Sequence, residues 1–178
     1  MKKICNLLVL TCLLSVGLKA IAWTTAQDAG SRLGAFHVKE FSFEKSSSSI
    51  SDIQKEEIRA ALTESAQSGK IDEVKVLAWS DKEYPLDSTK QSKSDINLAK
   101  NRLINVKKYL QDDLKVADVD TYNMTKKPNA LQKLLHTSTA KVKSANQMAL
   151  ADLKDDNSEL FDSKQQSSKA ILFIFMKK

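Results

Sequence analysis

Apolar residues recur along this chain at two different spacings, and the change from one to the other marks its elements. In residues 71–79, IDEVKVLAW, Val74, Val76 and Ala78 alternate with Lys75, Leu77 and Trp79, and the second face turns apolar towards the end. A period of two predicts a strand, and an apolar second face predicts an interior one. FHVKEFSF at 36–43 alternates in the same way and predicts a first strand whose register the pattern leaves open. VADVDTYNM predicts a third strand, and AILFIFM at 170–176, apolar on both faces, a central fourth.

Between the strands the spacing lengthens. Ile58, Ala61, Leu62 and Ala66 follow one face of a helix that Ser51 and Gln54 open with capping-box spacing and Gly69 closes. Ile96, Ala99, Leu103, Val106 and Leu110 step by three and four along a second helix, with Ser94 placed to cap it and Arg102 on its flank. A third helical pattern lies in residues 130–153, with Val142, Ala145, Ala149 and Leu153 on one stripe. The order β-α-β-α-β-(α)-β predicts an α/β, or α+β, sandwich: a mixed sheet with helices on one face.

The first 22 residues change the picture of where this domain resides. Met1-Lys2-Lys3 is basic, Ile4 to Leu18 is almost wholly apolar, and Ala20-Ile21-Ala22 offers small residues where a signal peptidase reads. A cleaved secretory signal at 1–22 is therefore expected, followed by a flexible, small and polar leader at 23–35 and one domain at 36–178 with a helical insertion at about 129–166. Both cysteines, Cys5 and Cys12, fall inside the signal, so the processed chain would hold no disulfide and no cysteine metal site. Lipidation at Cys12 is poorly served by Leu10 and Thr11 before it. The expected location is periplasmic, with outer-membrane association left open.

Charge narrows the partners. The signal contains Lys2, Lys3 and Lys19 and no acid, so its removal lowers the formal net charge by three from +6. Lysines and acids alternate through the remainder without a basic stripe, which argues against nucleic acid. No apolar run after the signal approaches the roughly 20 residues of a membrane span. The two histidines, His37 and His136, lack ligand spacing, so no metal is expected, and no cofactor motif occurs. No cysteine nucleophile remains, and no Gly-x-Ser-x-Gly elbow, His-Glu-x-x-His or phosphate-binding loop is present, so a non-catalytic role is expected.

One constellation does carry chemistry. The strand ends in Trp79-Ser80-Asp81, a long polar loop leads to Asp95, and LAKNRL at 98–103 is followed by Val106 and Tyr109-Leu110. This order resembles the OmpA C-terminal-like family of peptidoglycan-binding domains, whose pattern is a strand ending in Thr-Asp, then Asn, LSxxRA, Val and YL. The similarity covers about residues 36–128 and the last strand. It implies a module in which Asp81 holds the ammonium and Arg102 the carboxylate of diaminopimelate in the peptidoglycan stem peptide, with Asp95 at the family's Asn position. The glycine that follows the family's Asp is absent from Ser80-Asp81-Lys82-Glu83-Tyr84-Pro85, the loop is longer, and Ala99 replaces the Ser. A carboxylate at Asp95 is expected to repel the ligand's own. The alternative is a structural subunit of an envelope machine of the secretion-system type, whose divergent domain binds proteins through residues 130–153 and the leader.

Overall fold

The computed structural model of the protein describes residues 25–82, 92–126, 138, 141–145 and 168–178. Its elements are α1 (Thr25–Leu33), β1 (His37–Ser42), α2 (Asp52–Ser68), β2 (Ile71–Ala78), α3 (Lys93–Lys108), a π-helical turn (Tyr109–Asp113), β3 (Val119–Asn123) and β4 (Lys169–Met176). The fold is the expected α+β sandwich on a mixed four-stranded sheet of order β1-β4-β2-β3. β4 runs antiparallel to both neighbours, and β2 runs parallel to β3.

Local chemistry explains the element ends. The Ser51 hydroxyl accepts from the Gln54 backbone N–H at 3.3 Å while the Gln54 side chain accepts from the Ser51 N–H at 2.7 Å, the reciprocal bonding that starts α2. For α3 the capping residue is Ser92, whose hydroxyl accepts from Asp95 N–H at 3.1 Å, and not Ser94. Ser92 reaches the third helical N–H and so lets the helix begin three residues earlier than its apolar stripe does.

The alternation read in the sequence sorts the sheet's side chains into two cores. Val74, Val76, Ala78, Ala170, Leu172 and Ile174 meet Ile58 and Leu62 of α2 and Leu103 and Val106 of α3. On the opposite face Leu77, Trp79, Ile171 and Phe173 meet Ala26 and Ala29 of α1, with Tyr122, Met124 and Val142. Helices therefore cover both faces, which corrects the one-faced arrangement. The apolar second face of β2 and both faces of β4 are what required a second layer.

That layer begins with the segment expected to be a flexible leader. Residues 25–33 are helical because Ala26, Ala29 and Gly30, at helical spacing, give a flat stripe that lies close on the sheet. Asp28 and Arg32, one turn apart on α1, add an ion pair at 2.8 Å. Its two glycines have definite work. Gly34, at φ +77, closes α1: Ala35 N–H reaches Gly30 O at 2.9 Å and Gly34 N–H reaches Ser31 O at 3.0 Å, the paired closure of a Schellman turn. Gly30 sits so close to β1 that a Cβ there would lie 2.4 Å from Val38 Cγ2. Gly30→Ala is accordingly expected to lower the unfolding free energy by about 1–2 kcal/mol in urea titration, the overlap exceeding the gain of roughly 1 kcal/mol in helix propensity. A variant as stable as wild type would mean that α1 does not pack here.

Of the insertion expected at about 129–166, residues 138 and 141–145 are described and are helical, and the rest of that expectation lies outside the described residues. Val142 and Ala145 are buried, as the stripe predicted. Lys143 is also buried: its ammonium donates to Asn123 O at 2.7 Å and to Lys126 O, tying this helical piece to the end of β3. Burial, with Lys126 nearby, pushes the Lys143 pKa down to about 8. No helix among the described residues is long and apolar enough to cross a membrane.

Candidate functional site

β2 ends between two other pieces of chain. Trp79 N–H bonds Lys169 O at 3.0 Å, Ser80 N–H bonds the Thr125 hydroxyl at 2.8 Å, and Ser80 O accepts from Ser168 N–H at 2.6 Å. Asp81 follows directly, so its carboxylate is delivered to one end of the sheet, beside the loop that joins β1 to α2. Arg102 approaches the same point from the third turn of α3. The two residues picked out by their spacing are in contact: Arg102 Nη2 lies 2.5 Å from Asp81 Oδ1.

The contact is more enclosed than a helix-flank arginine would be. Arg102 is wholly buried, at 0% exposure. Its Nε donates to Ser47 O at 2.8 Å, Nη1 to Trp79 O at 2.8 Å, and Nη2 to Glu44 O at 3.2 Å as well as to Asp81. Phe43 stacks beneath it, 4.8 Å from guanidinium carbon to ring centre. Asn105, one turn further along α3, donates to Ser48 O at 2.8 Å. Together Arg102 and Asn105 fasten the 44–48 loop to α3, a pairing of side chains three apart on one helix face.

Asp81 is tied as firmly. Ser46 N–H donates to Oδ2 at 2.6 Å, and the Ser168 hydroxyl donates to Oδ1 at 2.7 Å. Both serines occupy the left-handed region, with φ of 59° and 60°. Non-glycine residues hold that conformation where surrounding bonds demand it, and here the Asp81 carboxylate supplies the bond. Burial raises the Asp81 pKa, but the bonds from Ser168, Arg102 and Ser46 and the guanidinium's charge outweigh it and leave it lowered. Asp81 is therefore an anion at neutral pH.

Asp95 lies close to this cluster, in the first turn of α3. The Ser92 hydroxyl donates to its Oδ2 at 2.6 Å, and Lys82 Nζ donates to the same oxygen at 3.0 Å. The Ser92 bond leads in lowering the Asp95 pKa, against burial and with help from Lys82, while the negative charge of Asp81 opposes. The carboxylate at this position is thus paired with Lys82, the cation one residue beyond Asp81. The Lys82 side chain is 69% exposed and that of Asp95 15%.

The site is therefore two ion pairs whose carboxylates are equally shielded and whose cations are not: Arg102 is wholly buried and Lys82 is exposed. Sequence reasoning brought Asp81, Arg102 and Asp95 to one place and missed Ser46, Ser168, Asn105 and Lys82. Lys82 was discoverable as the residue next to Asp81, and Asn105 from its spacing to Arg102. Ser168 carried no local signal, since it is separated from Asp81 by 87 positions. Among the described residues, no three His, Cys, Asp or Glu side chains converge as a metal ion would require. No protein-family model and no curated protein matches the chain.

Proposed function

We propose that this protein is a non-catalytic, periplasmic binding module, similar to OmpA C-terminal-like domains, that attaches to peptidoglycan by the diaminopimelate of the stem peptide. The observation that carries the reading is the meeting of Asp81 and Arg102 at the end of an interior strand, in a chain where 20 residues separate them in sequence. A zwitterionic amino-acid head needs an anion and hydrogen-bond donors held a short distance apart, and charge-assisted bonds of this kind contribute about 1.5–3 kcal/mol each. Modest affinity for one stem peptide suffices, because the polymer presents many copies and each bound module raises the effective concentration for the next.

The test is co-sedimentation of the purified protein with diaminopimelate-type sacculi. Pelleting that free diaminopimelate competes away is the expected result, and Asp81→Asn is expected to weaken binding about tenfold or more through loss of the ammonium's partner. Pelleting that ignores diaminopimelate, or none at all, would rule the reading out.

A second reading is favoured by the complete burial of Arg102 and its bonds to three backbone carbonyls. In that reading the pair is a structural tie retained after loss of the ligand, and the domain is a subunit of an envelope assembly that contacts proteins. Absence of sacculus binding by a folded protein would favour it.

A further inference from the structure

Lys143 is a buried cation whose partners are carbonyls. Among the described residues its Nζ donates to Asn123 O at 2.7 Å and to Lys126 O, both on the backbone where β3 ends, and no carboxylate pairs with it. An ammonium carries three N–H donors, and a neutral amine keeps two. The geometry therefore suits the neutral form. Two donors serve both carbonyls, whereas in the charged form the third N–H and the charge itself are left without a partner among the described residues. The charged groups on the neighbouring elements do not change this. Lys141 shares the helical piece, Asp120 of β3 accepts from the Tyr122 hydroxyl at 3.1 Å, and Asp28 and Arg32 of α1 pair with each other. Lys126, a second cation, is the one that bears on the proton affinity of Lys143, and it acts against the charge.

We infer that residues 141–145 form a proton-operated latch on β3: a proton gained at Lys143 loosens the piece from the sheet, and its loss locks the piece down. Release carries the charge into water and withdraws Val142 from the core that it shares with Tyr122 and Met124. The latch closes on a residue that braces the sheet. Asn123 Nδ2 donates to Ile96 O at 2.9 Å, its Oδ1 accepts from Thr125 N–H at 3.0 Å, and the Thr125 hydroxyl in turn holds Ser80, next to Asp81, at 2.8 Å. The inference does not depend on what the site near Asp81 binds.

The direction of the response follows from proton counting. Docked, the Lys143 pKa is pushed down to about 8, and in the released piece it returns to the ordinary 10.5. Between these values the released state binds more protons, so docking strengthens as pH rises through 8 and gains nothing further above 10.5. Below 8 both states are charged, and the docked one bears the cost of burial.

The test is quench-flow amide exchange on the full-length protein, with each rate corrected for its intrinsic value at that pH. Protection of residues 141–145 is expected to rise about tenfold from pH 7 to pH 9, the ratio that the two pKa values give, while protection in α2 stays level. Lys143→Met should abolish the rise. A wild type with level protection across 141–145, or a methionine variant that keeps the rise, would overturn the latch. Lys126→Met supplies a second measurement if the first variant fails to dock. It keeps the carbonyl but removes the opposing charge, so the Lys143 titration, followed by the NMR signal of its 13Cε, should move to higher pH. A midpoint at the ordinary lysine value in the wild type, or one that Lys126→Met leaves in place, would equally overturn it.

Discussion

Replacing Arg102 with methionine lowers the unfolding free energy by about 3–5 kcal/mol in urea titration, the cost of removing one partner from a buried ion pair. Methionine fills much of the volume but leaves Glu44 O, Ser47 O and Trp79 O without their donor and Asp81 without its counter-charge. A loss below 1 kcal/mol would show that the guanidinium is not the tie described above. The pair also sets the response to acid. Asp81 has a folded-state pKa below its unfolded value, so its contribution is fully present above the unfolded pKa of about 3.9 and fades as pH falls through the folded one. The wild-type urea midpoint should therefore fall below about pH 4, and more steeply than that of the methionine variant, in which the arginine's share of the shift is gone.

Trp79→Ala is expected to cost about 3–5 kcal/mol as well, by a different route. Trp79 is 1% exposed and lies in the core between the sheet and α1. Its loss removes a large apolar surface and leaves a cavity that small neighbours such as Ala26 and Ala29 cannot fill. Amide hydrogen exchange gives the location as well as the size: protection across 26–33 should drop more than protection in α2, which packs on the far face. Equal loosening of both helices would argue against two separate cores.

Much of the fold was legible because its signals are local. Ser51 and Gln54 declared the start of α2, and the two apolar faces of residues 170–176 marked β4 as central. α1 was not legible, because Ala26, Ala29 and Gly30 make a packing face from small residues, and such a stripe resembles a loop in composition. The arginine's depth escaped for a similar reason. A periodic pattern shows which helix face a residue occupies, but three of the acceptors that draw Arg102 inward are backbone carbonyls, which every residue has. Asp81, Asp95 and Arg102 could be grouped by their order and spacing, and Lys82 was within reach as Asp81's neighbour, but its pairing with Asp95 needed the fold.

The sheet order imposes a sequence of events on assembly. β1 and β2 do not pair with each other, and both pair with β4, the latest strand in the chain. Until residues 168–176 are available, β1 has no strand partner among the described residues, and Asp81 lacks Ser168. Sheet closure is thus dominated by contacts of long sequence separation, the kind that slow folding through loop-closure entropy. A polypeptide built this way stays incompletely folded until its last strand has been synthesised, however early β1 and β2 leave the ribosome.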